Sequence, residues 1–467
     1  MKKRTLMLSA LAVAAATASV SLTSCSGGQD PAHTITFYHT MGDALQKVLD
    51  TAIEDYEAKF PGWKIQASQV GGYDDVRKAV IADLTAGQQP DLAYCYADHV
   101  ALYLESEKVV DMSKFFTNDT KLTANVKEEG SEEYVAKEFD ETIGYSEAER
   151  KDFVQGYLKE GYATNYADYA QYGFTENSLL TIPYVKSTEV LYYNADALKA
   201  CKLEVPKTWD DLWKACETIK KKYPNSTPLG YDSEANWVIT MCEQNGWGYT
   251  QAQTPHYLFK NDGLTGWLED LAEKYDKELF TTQNNYGSYT SNLFVKGAEE
   301  GSVFSIGSSG GASHQASDKF KWGVAQIPGT KESDGTINKS VISQGPSLVM
   351  LHSSSDNADE KEVMTWEFVK MLETPEFQCS FAMASGYNPT RESSFEVSEY
   401  KKFLEGDSIV AKTALVGKEQ TPYYYTSPAF KGSSTARDQM GTAFVYAVSG
   451  QKTAAKALED ALNKCGA

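Results

Sequence analysis

The chain reads as an α/β protein of two domains, and three observations carry that reading. Strand-like and helix-like segments alternate through its opening third, the pattern of a parallel sheet crossed by helices. At 467 residues it is longer than one hydrophobic core usually serves, and its cores can be buried without staples. Its 42% hydrophobic and 12% aromatic content excludes a disordered chain. The balance of 64 acids against 44 bases, a net charge of −20, argues against nucleic acid as a partner and disfavours adsorption to an anionic membrane surface. Neutral polar ligands work least against that field.

The N-terminus comes first in the chain. Lys2-Lys3-Arg4 forms a basic start, and Leu6 to Val20 is an alanine-rich apolar stretch too short to span a bilayer comfortably. Leu22-Thr23-Ser24-Cys25 then places a small residue before a cysteine, the pattern of a bacterial lipoprotein cleavage box. Residues 1–24 are therefore expected to be a removed signal peptide. Cys25 would be the lipidated N-terminus of a tether over 25–32, bringing the chain to the membrane through acyl chains. An ordinary signal peptide with a nearby cysteine is the simpler alternative.

Thr34 to Tyr38 reads as a strand. From Leu45 the apolar residues Val48, Leu49, Ala52, Ile53, Tyr56 and Phe60 recur at helical spacing, and Pro61-Gly62 stops them. A strand over Trp63 to Val70, a helix from Asp74 to Ala86 ended by Gly87, and a buried strand over Asp91 to Tyr96 follow. Residues 117–180 break the rhythm. The stretch is acidic and tyrosine-rich, and it reads as an elaboration carrying two or three surface helices, one over Ser146 to Leu158. The rhythm resumes with a strand at Val190 to Tyr193. A helix capped by Thr208, with Asp211 three residues on, would turn Leu212, Ala215, Cys216 and Ile219 inward. Strands are expected at Ser302 to Ile306, Trp322 to Ile327 and Ser347 to Leu351, and helices through the last hundred residues.

Six cysteines follow Cys25: Cys95, Cys201, Cys216, Cys242, Cys379 and Cys465. In an exported chain they could pair or stay reduced, and spacing does not choose. They form no CxxC, and no histidine pair has ligand spacing, so neither metal nor cofactor is expected.

Gly307-Ser308-Ser309-Gly310-Gly311 fits G-x-S-x-G after a strand, which would make Ser309 an esterase nucleophile. The only later histidines are His314 and His352, with Asp318 as the acid before the second, and neither histidine sits in a setting that marks a base. The alternative reading is a close-approach loop of small residues that offers N–H groups and hydroxyls to a polar ligand. That reading is preferred, and no enzymatic activity is expected. Among the aromatics, Trp209 and Trp213 read as core on a helix. Tyr73, Trp237, Trp247 and the run Tyr423-Tyr424-Tyr425 lie in polar contexts that suit a sugar's C–H face.

These residues together resemble a known family. Phe37 to Gly42, Gly71-Gly72-Tyr73-Asp74-Asp75 and Ala86 to Leu92 are similar to the first lobe of the family 1 extracellular solute-binding proteins of bacterial ABC sugar importers. Ile182-Pro183-Tyr184, Leu191 to Asn194, and Pro206 to Leu212 match the start of the second lobe. Ser308-Ser309-Gly310, Gln344 to Ser347 and Ser385 to Pro389 continue in order. Nearly the whole mature chain is covered, and 117–180 matches least.

The resemblance implies a type II periplasmic-binding-protein-like fold, its two α/β lobes linked by three chain crossings, with a ligand cleft at the hinge. It implies 33–183 and 308–343 in the N-terminal lobe, and 184–307 and 344–467 in the C-terminal lobe. Within the family the pattern is most similar to the glycerol-3-phosphate receptors. Residue-by-residue carry-over, with Tyr96 and Asp98 added beside it, gives a ligand set of Tyr73, Tyr96, Asp98, Ser187, Trp237, Ser308, Gly345 and Tyr387. Trp237 and Tyr387 would stack. Asp98, Ser187, Ser308 and the Gly345 backbone would take hydroxyls. Tyr73, Tyr96 and Asp98 would stand on the first lobe, and Ser187, Trp237 and Tyr387 on the second. The family's acidic contact lands on Ala97, and its C-terminal arginine lands on Ala429 or Lys431. The missing guanidinium favours a saccharide over a glycerol phosphate. The expected partners are that saccharide and the permease subunits. The protein is expected to be a monomer held at the bacterial cell envelope, on the outer face of the cytoplasmic membrane or in the periplasm or outer membrane. The rivals are a lipid-anchored esterase, a glycerol-phosphate receptor and a surface attachment protein without a small ligand.

Overall fold

A computed structural model describes residues 30–466. The expected signal peptide and Cys25 lie outside them. Two five-stranded sheets organise the chain, each at the centre of its own lobe. The first runs in the order Lys64–Gln69, Thr34–His39, Leu92–Cys95, Ser347–Met350, Ile182–Pro183. Its first three strands are parallel, and Ser347–Met350 runs antiparallel to both neighbours. The second sheet runs Trp322–Gln326, Glu189–Asn194, Phe304–Ser308, Leu229–Tyr231, Phe280–Thr282. Its last three strands are parallel and its first two antiparallel.

The local logic follows the sequence. Helix Asp43–Lys59 buries Leu49, Ala52 and Tyr56, one face at helical spacing. Helix Tyr73–Ala86 ends where Gly87 takes φ +69, a left-handed conformation that glycine adopts without strain. Leu92–Cys95 is buried at every position because helices cover both faces of a parallel strand. Helix Trp209–Lys222 starts where the Asp211 amide donates to Thr208 Oγ1 at 3.2 Å, and it buries Leu212, Ala215, Cys216 and Ile219 as expected.

The division of the chain is corrected by sheet membership. Trp322–Gln326, expected in the first lobe within 308–343, pairs with Glu189–Asn194 in the second sheet. Ser347–Met350, expected in the second lobe within 344–467, pairs with Leu92–Cys95 in the first. Helices Ala358–Leu372 and Pro375–Ser385 also pack into the first core, through Trp366, Phe368, Phe377 and Phe381. Helices Ser433–Val448 and Ala454–Lys464 pack into the second. The chain crosses between lobes at 184–188, at 343–346 and after 385.

Residues 117–180 are corrected too. They hold an antiparallel hairpin, Lys121–Lys127 with Tyr134–Thr142, before two short helices, Glu147–Asp152 and Gln155–Lys159. Leu122, Ala124, Val126, Phe153 and Leu158 belong to the first core, so this stretch, expected as an elaboration on the lobe, supplies part of the lobe's core. All six described cysteines are free thiols. Among the described residues, no helix is long and apolar enough to cross a membrane.

Candidate functional site

The strand ends of both sheets face each other across a cleft that contains two adjoining chambers. The outer has a volume of ≈ 580 Å³ and the inner ≈ 80 Å³, and Tyr96 and Gln344 line both. Of the eight expected residues, Tyr73, Tyr96, Ser187, Ser308 and Tyr387 line the outer chamber. Asp98 and Gly345 line the inner one. Trp237 lines neither.

Each side chain is positioned by its element. Tyr73 opens helix Tyr73–Ala86 after Gly71, which takes φ +88, and its ring lies 4.6 Å from that of Tyr96. Tyr387 is held against the glycine loop: a Cβ on Gly310 would stand 2.6 Å from its Cε2. Tyr387 packs on the first-lobe core beside Phe381, at 6.0 Å, so its expected place on the second lobe is corrected. Ser187 lies on the first crossing segment, which pairs with the second through two 2.9 Å backbone bonds between Ser187 and Gln344. Gly345 takes φ +98, and a Cβ there would meet the Val185 carbonyl at 2.4 Å, so only glycine lets the crossings lie this close. Asp98 accepts from Ser434 Oγ at 3.0 Å, linking the lobes.

Trp237 is a core residue. Ser233 caps helix Glu234–Asn245, with the Asn236 amide donating to its Oγ at 3.3 Å, and one turn later the indole enters the second core. It is fully buried, stacked on Tyr231 at 4.4 Å and 10° and flanked by Trp209 and Trp267. The polar neighbours that suggested a loop are the cap Ser233 and the buried, hydrogen-bonded Glu234 and Asn236 of the helix's first turn.

Ser309 is also buried. Its amide donates to the Thr188 carbonyl at 2.8 Å, and its Oγ accepts from the Thr188 amide at 3.2 Å, so the hydroxyl holds the crossing strand. His352 pairs with Glu362 at 2.7 Å within the first lobe.

Sequence reasoning missed several cleft residues. Arg437, on helix Ser433–Val448, lines the inner chamber and donates to Asn236 Oδ1. Among the described residues it pairs with no carboxylate, whereas Lys186, the other cation of that chamber, is neutralised by Glu160 at 2.6 Å. The absence of a cleft guanidinium, expected from Ala429 and Lys431, is therefore corrected. Its signal was present in a helix whose polar residues recur one turn apart. Glu189 lines the outer chamber and accepts from the Tyr231 hydroxyl and from Asn236 Nδ2 at 3.0 Å. Burial pushes its carboxyl up to about 7 despite those donors. Chemically the cleft offers tyrosine rings, amides, hydroxyls and one uncommitted cation. Among the described residues, no group of three His, Cys, Asp or Glu could hold a metal.

The chain belongs to the bacterial extracellular solute-binding protein family, whose model matches residues 51–405. It is 25% identical over 403 residues to the sn-glycerol-3-phosphate-binding periplasmic protein UgpB of Yersinia pestis, which spans 83% of this chain and 82% of that protein. Among solved structures, UgpB of Mycobacterium tuberculosis in complex with glycerophosphocholine superposes with a TM-score of 0.69 at 15% identity, covering 94% of this chain and 98% of that one. The acarbose-binding GacH receptor of Streptomyces glaucescens superposes with a TM-score of 0.68 at 16% identity, covering 93% and 96%. The two-lobe fold expected from the sequence is thus the observed one.

Proposed function

We propose that this chain is the substrate-binding component of a bacterial ABC importer that captures a saccharide between its lobes and delivers it to a permease. One observation carries the ligand class: a ≈ 580 Å³ interlobe chamber walled by Tyr73, Tyr96 and Tyr387 and by the hydroxyls and amides of Ser187, Ser308 and Asn236. Aromatic faces take the C–H side of a pyranose, and the polar groups take its hydroxyls. A solute touching both lobes favours the closed state by its differential affinity, and the closed form is what a permease recognises. Lipidation of Cys25 would keep the receptor at the membrane. Fatty-acid labelling that persists in Cys25→Ala would end that part of the proposal.

A second reading rests on Arg437. A guanidinium free of carboxylates suits a phosphate, and curated relatives are named for sn-glycerol 3-phosphate. Calorimetric titration separates the two. Neutral oligosaccharides of two to four units are expected to bind and sn-glycerol 3-phosphate is not. The reverse result, abolished by Arg437→Gln, would replace the saccharide with a glycerophosphate.

A further inference from the structure

Stacking on both faces of a sugar ring takes an aromatic on each side of the cleft, and the first-lobe wall supplies one side. Tyr73 and Tyr387 lie there, both already engaged by other rings. The expected second-lobe platform, Trp237, is buried in the core. Of the two other tyrosines that line the outer chamber, Tyr96 packs on Tyr73, and Tyr289 enters from the second-lobe side, beside Asp232. It is 62% exposed, and among the described residues its ring stacks on no other ring and its hydroxyl makes no hydrogen bond.

A scattered exposed tyrosine needs no function. This one differs in how its backbone is held. The next residue, Thr290, is fully buried: its amide and Oγ1 donate to Asp232 Oδ1 at 2.6 and 2.7 Å. Thr290 packs on Gly230, where a Cβ would stand 2.6 Å from the threonine Cβ. Two residues before Tyr289, Gly287 takes φ +81 and turns the chain. The Tyr289 carbonyl accepts from the Asn292 amide at 3.1 Å, at the start of the short helix Ser291–Phe294. Asp232 follows the second-lobe strand Leu229–Tyr231 and itself lines the chamber. The loop is anchored to the floor of the site while the ring is left free above it. A rigid support beneath an unsatisfied aromatic face is the arrangement of a preorganised contact.

We infer that Tyr289 is the second-lobe stacking platform, closing over one face of a pyranose ring while the Tyr73 and Tyr387 wall receives the other. The inference rests on the saccharide reading and extends it. The required solute carries at least one ring with an axial C–H face, a feature that sn-glycerol 3-phosphate lacks. Closure brings the two walls together, so the contact forms late and acts on dissociation more than on encounter.

The test compares the full-length mature protein with Tyr289→Ala and Tyr289→Phe in calorimetric titrations. The probes are neutral gluco-, galacto- and manno-oligosaccharides of two to four units, with sn-glycerol 3-phosphate alongside. For whichever oligosaccharide binds, Tyr289→Ala is expected to weaken affinity about tenfold or more, and Tyr289→Phe to stay within about twofold. The apo melting temperature should not move in either variant, because the residue is 62% exposed and its ring stacks on no other ring among the described residues. Unchanged oligosaccharide affinity in Tyr289→Ala would overturn the platform and leave the saccharide reading standing. Equal losses in Ala and Phe variants would replace stacking with a hydroxyl contact. Binding of sn-glycerol 3-phosphate alone would overturn the saccharide reading and the platform with it.

Discussion

Glu160 ties the two crossing segments of the hinge together through Lys186, whose ammonium lies 2.6 Å from its carboxylate. Lys186 is on the first crossing segment, and Ser343 of the second donates to the same Glu160 at 2.6 Å. The pair is nearly out of water, with side-chain exposures of 3% for Lys186 and 14% for Glu160. Glu160→Ala would leave a buried ammonium without a counter-charge. We expect it to cost about 3–5 kcal/mol of apo stability, read by denaturant unfolding. A loss below about 1 kcal/mol would show that Lys186 reaches water or another partner.

Trp237→Ala is expected to lower apo stability by about 3–5 kcal/mol, because it empties the space among Tyr231, Trp209 and Trp267. A thermal melt of the unliganded variant checks this. A well-folded variant that has lost only ligand affinity would return Trp237 to the site.

The contribution of Glu189 to apo stability should rise as the pH is lowered from 8 to 5, while His39 and His99, kept neutral by burial, act with the opposite sign below about pH 6.5. Glu189 titrates at about 7 when folded against 4.5 when exposed, so the folded state takes up its proton first. Above pH 7 its charge sits buried at a cost, and the cost is relieved as pH falls through 7. Glu367, also pushed up to about 7 by burial, adds with the same sign. Carboxylates held low, such as Asp152, lose their contribution only below that window. Glu189→Gln should therefore stabilise at pH 8, by at most about 3 kcal/mol, and leave pH 5 unchanged. Equal effects at both pH values would mean that the hydrogen bonds to Tyr231 and Asn236, and not the charge, decide.

Gly310→Ala should weaken oligosaccharide binding about tenfold by pushing the Tyr387 ring out of place, since the added methyl would stand 2.6 Å from it. Titration of the variant checks this. Full affinity would remove Tyr387 from the contact set.

The alternation of elements was legible because its signals are local. Gly87 ends a helix, Thr208 begins one, and Leu92 to Cys95 is a buried run wherever it is read. Sheet membership was not, because Trp322–Gln326 and Ser347–Met350 are both short apolar strands and their partners lie far away in sequence. The hairpin had a usable signal in the alternation of Leu122, Ala124 and Val126, masked by the exposed polar strand that pairs with it. Most of the site's first wall was readable through glycine turns and tyrosines. Trp237 misled because a capped helix start has the composition of a loop. Arg437 and Tyr289 were missed because only the packing of distant segments brings them to the cleft.

The distribution of indoles has a practical consequence. None of the eight tryptophans lines either chamber, and Trp63, Trp237 and Trp366 are fully buried in the lobe cores. Their emission is set by packing inside each lobe, which rigid-body closure leaves unchanged, so solute capture should be optically quiet. A fluorophore written into the rim would give the cleft a voice. Tyr289→Trp would place an emitting ring on an anchored loop at the mouth of the chamber, and occupancy could then be followed by light without labelling the solute.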